Sequence, residues 1–275
     1  MLVLNSLAPV APRLAGRSAF MLFGRTGKRA ALRPDEEAVH AAAALGTLTV
    51  NGKRVVTYRW GDGRRPVLLI HGWQSRASRW AHLIPRLQAL GLTPVAFDAP
   101  GNGASGGWTT NALEYRAVIL ELQDEYGPFE AVVAHSFGAL CALLALRSGL
   151  TAHRLVVISG VTDFDYLVES FVRQAGLSPR AARALRRRTA QEIEAAGLRW
   201  SQMSGPVEAA MVVIHDTEDR VVDHAHAVQM AEAHPGRARL VTTNGLGHHR
   251  ILADPSVIAR AVTFLSAPGE QRDAA

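Results

Sequence analysis

The sequence predicts an α/β fold: a mainly parallel sheet with helices on both faces and an inserted helical cap. Three observations predict it. Short apolar runs rich in Val, Ile and Leu recur as PVLLIHG, TPVAFDAPG, AVVAHSFG, RLVVISG, AMVVIHD and ARLVTTNG, most of them separated by a stretch long enough for a helix. The runs are continuously apolar rather than alternating, the pattern of strands buried on both faces in a parallel sheet with crossover helices. One interval, residues 161–208, is too long for a single crossover helix.

Taken in order, residues 1–46 precede the sheet pattern and read as a partly helical extension, with a helix expected over PDEEAVHAAAALG. GTLTVNGKRVVTYRWGDG then holds two β-prone runs around Asn51-Gly52, a dipeptide suited to the left-handed turn of a tight hairpin. The core is expected over 47–160 and again over 209–266, with a flexible tail at 267–275. Inside 161–208, DFDYLVESFVRQAG and SPRAARALRRRTAQEIEAAG read as the two helices of the cap. The second has Ser178 as N-cap, Pro179 in its first position and Gly197 beyond its end. With 275 residues, 48% of them hydrophobic, the chain can bury a sizeable core.

Charge and cysteine content narrow the function classes. The net charge of +6 is uneven: residues 1–34 carry six basic residues and no acid, and 170–191 another six and no acid. Neither stretch forms a module with interleaved aromatics, so nucleic-acid binding is not expected. The arginines at 186 and 187 suit either a solvated helix face or a mouth that attracts acidic acyl groups. SAFMLFGRTGKRA, within residues 1–34, suits packing against the domain or weak peripheral contact with anionic lipid. No apolar run approaches the roughly 20 residues of a membrane span, and the start lacks a secretory signal pattern. A single cysteine, Cys141, excludes an internal disulfide and points to a buried thiol in a reducing compartment, so a cytoplasmic protein is expected. The sequence specifies no oligomeric state.

Ligands of open parallel sheets collect beyond the carboxyl ends of the strands. Here those ends carry His71-Gly72-Trp73, Asp98-Ala99-Pro100-Gly101, His135-Ser136, Ser159-Gly160, His215-Asp216 and Asn244-Gly245. In Ala134-His135-Ser136-Phe137-Gly138 a strand turns into a helix at Ser136, and small residues two positions away on either side let the backbones pass. The first N–H groups of that helix are free to meet developing negative charge. A serine hydroxyl needs a histidine as base, and the histidine needs an acid to fix its tautomer. Downstream, HDTEDRVV offers Asp216 and Asp219 with Asp223 placed to cap a helix, and GLGHHR offers His248 and His249.

Two decoys carry less. GNGASG after a strand has the glycine spacing of a dinucleotide loop but does not open into a helix. His224 and His226 are two apart, the wrong spacing for a helical metal pair.

Together the serine corner, the following acids and the final histidines resemble the α/β-hydrolase family, over roughly residues 47–265. The resemblance implies Ser136 as nucleophile, Asp219 as acid from its place in HDTEDRVV, and His248 as base from the Gly-x-Gly-His pattern. Asp216 and His249 are the alternatives. LLIHGW matches the family's early His-Gly-x turn, implying an oxyanion hole from the backbone N–H groups of Trp73 and Phe137, with His71 structural. Trp73 and His135 are expected to touch substrate. Asn102 stands where many relatives have histidine, and Ala134 replaces a glycine. The activity implied is hydrolysis of a small carboxylic ester or thioester through an acyl-enzyme, without metal or cofactor. The same triad could cleave an amide, a lactone or a carbon–carbon bond, and a binding protein could keep the fold without turnover.

Overall fold

Asn51 and Gly52 both adopt positive φ, +49° and +73°, the conformation a two-residue hairpin turn requires. They join strands β1 (Ala44–Val50) and β2 (Lys53–Arg59). The sheet continues with β3 (Pro66–Ile70), β4 (Thr93–Asp98), β5 (Phe129–His135), β6 (Ala152–Ile158), β7 (Ala210–Asp216) and β8 (Ala238–Thr243). In this computed structural model, which describes residues 2–267, the eight strands lie in the order β1-β2-β4-β3-β5-β6-β7-β8. β1 and β2 pair antiparallel, β2 meets β4 antiparallel, and every other pairing is parallel.

Helices are α1 (Leu2–Leu7), α2 (Pro12–Phe23), α3 (Glu37–Ala41), α4 (Ile84–Gln88), α5 (Ala112–Tyr126) and α6 (Phe137–Leu146). After β6 come α7 (Phe164–Gln174) and α8 (Pro179–Ala195), then α9 (Ala225–Ala233), α10 (Gly247–Arg250) and α11 (Pro255–Ser266). Side chains alternate across the central strands: Leu68 and Ile70 pack into the layer containing α5 and α6, Val67 and Leu69 into the layer containing α4 and α11. All four are fully buried, which is why β3 reads as uninterrupted apolar sequence.

The insertion between β6 and β7 is helical. Ser178 Oγ accepts the Ala181 N–H at 3.3 Å, Pro179 occupies the first turn, and Gly197 takes φ +74° past the end. The expected helix over residues 34–46 is shorter than the sequence suggested. A 3₁₀ turn at Pro34–Glu36 leads into α3, which stops at Ala41 because Ala44 already pairs with Arg59 in the hairpin ladder. The sheet therefore begins at Ala44 rather than at residue 47. Of the expected tail at 267–275, all but Ala267 lies outside the described residues.

Tertiary contacts place the N-terminal extension. α2 lies along α8 so closely that a Cβ on Gly16 would stand 2.6 Å from the Ala184 carbonyl oxygen, an approach only glycine allows. Asn5 ties α1 to the turn before α8, donating to Gly176 O at 2.9 Å and accepting from Ser178 N at 2.7 Å. Arg29 clasps the carbonyls of Gly103 and Gly107 at 2.7 and 2.8 Å. The buried Glu36 carboxylate accepts from Ser78 Oγ at 2.5 Å and pairs with Arg79, the kind of partnering a buried charge needs.

Candidate active site

Ser136 sits at the junction of β5 and α6 with φ +54° and ψ −123°, a strained backbone for a non-glycine residue that costs about 1–3 kcal/mol. Neighbouring strands hold it there: its N–H donates to Ile158 O at 3.1 Å. A Cβ on Gly138 would stand 2.6 Å from the carbonyl oxygens of both Ile70 and His71, so the helix can leave the corner only with glycine at that position. Position 134 lies in the strand itself, where Ala134 is buried and accommodated.

Three distant side chains meet at this corner. His248 Nε2 lies 3.0 Å from Ser136 Oγ, and His248 Nδ1 lies 2.7 Å from Asp219 Oδ2. A proton on Nδ1 donates to the carboxylate, leaving Nε2 to accept from the serine hydroxyl. Asp219 Oδ1 accepts the N–H groups of Val221 and Val222 at 2.8 and 2.9 Å, which aims Oδ2 at the imidazole. Burial opposes ionisation of Asp219, but hydrogen bonds from His215, His248, Val222 and Val221 outweigh it and hold the carboxyl well below the usual carboxylate range.

The alternatives lie elsewhere. Asp216 braces two loops, accepting from Glu218 N, Thr243 Oγ1 and Leu246 N at 3.0, 2.8 and 3.0 Å. His249 is exposed beside His248, with ring centroids 4.9 Å apart. His135 is buried beside His248, its Nε2 donating to the His248 carbonyl at 2.9 Å. Burial, followed by the neighbouring His248, lowers its pKa to about 3, so it is neutral. Sequence reasoning passed over His215, whose buried Nε2 lies 3.4 Å from Asp219 Oδ2 and 2.9 Å from Val222 O. Its place at the end of β7, four residues before Asp219, was the available signal.

His71 Nε2 accepts the Ala99 N–H at 2.9 Å, so its Nδ1–H donates to the Gly72 carbonyl at 2.7 Å. Tyr115 Oη lies 3.3 Å from the same oxygen, a contact the sequence did not suggest. In a trans peptide the next N–H points opposite to the carbonyl, so the Trp73 N–H is turned away from this buried pair. The Phe137 N–H, at the first position of α6, has no intrahelical acceptor. Asn102 is buried and closes its own turn, donating to Pro100 O at 3.0 Å.

Two hollows lie near this corner, one lined by Ser136 itself and the other reaching only its neighbour Phe137. One is polar and is lined by Ser136, His135, His248, His249, Arg33 and Arg79. The other is apolar, between core, insertion and extension, and its walls include Phe20, Phe23, Phe137, Ile193 and Met203. Trp73 lines both, and its ring meets Phe137 edge to face at 5.2 Å. Neither hollow is lined by the arginines at 186 and 187: Arg186 pairs with Asp165 and Glu169 at 3.4 and 3.2 Å, and Arg187 lies in the groove between α2 and α8. His135, His248 and His249 bring ring nitrogens within 4.8 Å of one another. The hydrogen bonds above already use both nitrogens of His248 and one of His135, so a metal there would have to displace Ser136 or Asp219 from His248.

Comparison with known proteins agrees with this architecture. The model of the alpha/beta hydrolase family matches residues 67–261, well over half of the chain. One curated relative is the dihydrolipoyllysine-residue acetyltransferase component of the acetoin cleaving system of Cupriavidus necator. It is 32% identical over 150 residues, covering 53% of this chain, and the chain spans only 40% of that protein's length. An esterase from Rhodococcus superposes with a TM-score of 0.60 at 15% identity, covering 82% of this chain and 99% of the other. A thioesterase domain from the curacin biosynthetic pathway also gives 0.60, at 20% identity, over 82% of this chain and all 100% of its own. These two likenesses speak to fold, while the family match, running from β3 into α11 through every strand end described above, identifies the chain as a member of the alpha/beta hydrolase family.

Proposed function

We propose that the protein is a serine hydrolase acting on carboxylic esters or thioesters with an apolar acyl part. The observation that carries the proposal is the unbroken hydrogen-bonded line from Ser136 Oγ through His248 to Asp219. Ser136 Oγ attacks the acyl carbon while its proton passes to His248 Nε2, and Asp219 stabilises the resulting imidazolium. The oxygen of the tetrahedral intermediate accepts from the Trp73 and Phe137 N–H groups. A single such donor typically contributes about 3–4 kcal/mol to the transition state. Collapse expels the alcohol or thiol, which takes the proton from His248, and water then releases the acyl group by the same route.

The apolar hollow beyond Trp73 and Phe137 suits the acyl chain, and the polar hollow suits the leaving group. Each methylene that enters an apolar site gains about 0.8 kcal/mol. Among the described residues no helix is long and apolar enough to cross a membrane. A fluorophosphonate probe tests the reading: wild type is expected to form a covalent adduct that Ser136→Ala abolishes. A folded wild type that takes up no probe overturns it and favours a binding role, and an adduct that persists in Ser136→Ala overturns it by moving the nucleophile to another residue.

A further inference from the structure

Apolar exposure on this protein is concentrated. Among the described residues nine large hydrophobic side chains are well exposed, and six of them (Leu2, Val3, Val10, Leu14, Met21 and Leu22) belong to the first 22 residues. A seventh, Trp108, is 74% exposed and adjoins the end of α2: its carbonyl accepts from Thr26 N and Oγ1 at 3.1 and 3.0 Å, and Thr109 bridges to Arg25. On α2, Ala15, Gly16 and Ala19 are buried toward the domain and Gly16 abuts α8, so helical periodicity puts Leu14 and Met21 on the outward arc, with Arg13 and Arg17 beside them and Leu22 at the flank.

The charge around this patch has one sign. Residues 1–34 contain no acid. Arg187 joins Arg13 and Arg17 in the groove between α2 and α8. Arg186 and Arg188 are matched by Asp165, Glu169 and Glu192, whereas Arg13, Arg17 and Arg187 form no ion pair among the described residues. A second copy of the chain would oppose basic surface to basic surface, which disfavours self-association through this face.

We propose that α1, α2 and the Trp108 loop form a surface that seats on a bilayer containing anionic lipid. Apolar side chains on a helix's outward arc, flanked by long basic ones, enter the headgroup boundary while the guanidinium groups meet phosphate. Exposed tryptophan suits the same boundary. The surface shares no residue with the Ser136–His248–Asp219 line, so it stands apart from the hydrolytic reading. If that reading holds, seating has a consequence: α2 also carries Phe20 and Phe23, and the apolar hollow is brought beside the membrane.

Co-sedimentation of the full chain with phosphatidylcholine vesicles, with and without phosphatidylglycerol, tests the proposal. Wild type and Ser136→Ala are expected to pellet equally with the anionic vesicles and to remain in solution with phosphatidylcholine alone. The pairs Leu14→Ser/Met21→Ser and Arg13→Glu/Arg17→Glu are each expected to lower partitioning roughly tenfold or more. Unchanged melting temperature and short-ester rate show that these variants fold. Wild type left in the supernatant with anionic vesicles overturns the proposal; variants that partition like wild type overturn it too. Because Ser136→Ala must still bind, a chain without esterase activity would fail the earlier test and pass this one.

Discussion

The carboxyl edge of the sheet and the helical layer of α1, α2, α7 and α8 are built on different terms. At the sheet edge, Ser136 and Asp219 follow β5 and β7, strands buried on both faces, and His248 follows the more exposed edge strand β8 but is itself buried; each of the three has its backbone or side chain held by neighbouring elements. In the helical layer each helix buries one stripe and leaves the rest to solvent: Ala15 and Ala19 of α2 are buried while Leu14 and Met21 are exposed. Two-sided burial leaves little freedom to move a reacting atom, whereas one-sided burial lets access, chain length and surface partners vary without disturbing the chemistry.

The largest test of that contrast is at the edge. Asp219→Asn leaves the loop contacts at Oδ1 but misorients His248, and kcat is expected to fall by roughly four orders of magnitude. Asp216→Asn, which removes a brace and no contact to His248, is expected to cost far less. Steady-state rates on one p-nitrophenyl ester compare them, and equal losses would mean that the edge works as one undivided unit. In the outer layer, Phe20→Ser with Phe23→Ser is expected to lower kcat/KM for a ten-carbon ester roughly tenfold while a two-carbon ester changes little. An unaltered chain-length profile would show that α2 has no part in selectivity.

A smaller effect appears in acid. His135 is held at about 3 in the folded protein, by burial first and His248 second, against an ordinary value of 6.5. Its folded value is lowered, so below 6.5 the unfolded chain takes up a proton that the folded chain refuses until about 3. Stability is therefore complete above 6.5 and is lost as pH falls through that window, at up to about 1.4 kcal/mol per pH unit from this one group. His135→Gln is expected to flatten the slope in urea unfolding between pH 4.5 and 6.5. The buried His71, also lowered chiefly by desolvation, leaves a residual slope. An unchanged slope would show that the corner beside His248 opens to solvent.

Much of the edge was legible because its signals are local. Continuous apolar runs ended in polar residues, Asn51-Gly52 marked the hairpin, and Ser136 had small residues two positions away on either side. The choice between Asp216 and Asp219 was less local, since both follow one strand by a few residues. The family pattern favoured Asp219, and the hydrogen bonds of the folded loop put Asp219 against His248 and make Asp216 a brace. Tyr115, inside α5, carried no signal in the sequence, because its approach to the Gly72 carbonyl depends on how that helix sits on the sheet.

The extension was the least legible part. Its helices bury narrow stripes against α8, a partner more than 160 residues away in the chain, so no short-range period announced the contact. The amino-acid sequence alone determined the strand order of chemistry along the chain, the serine corner and the family pattern, because backbone propensity and apolar periodicity act over a few residues. Tertiary structure alone decided what Asp216 braces, what walls the apolar hollow and which face of α2 remains outside, because those outcomes depend on contacts between segments far apart in the chain.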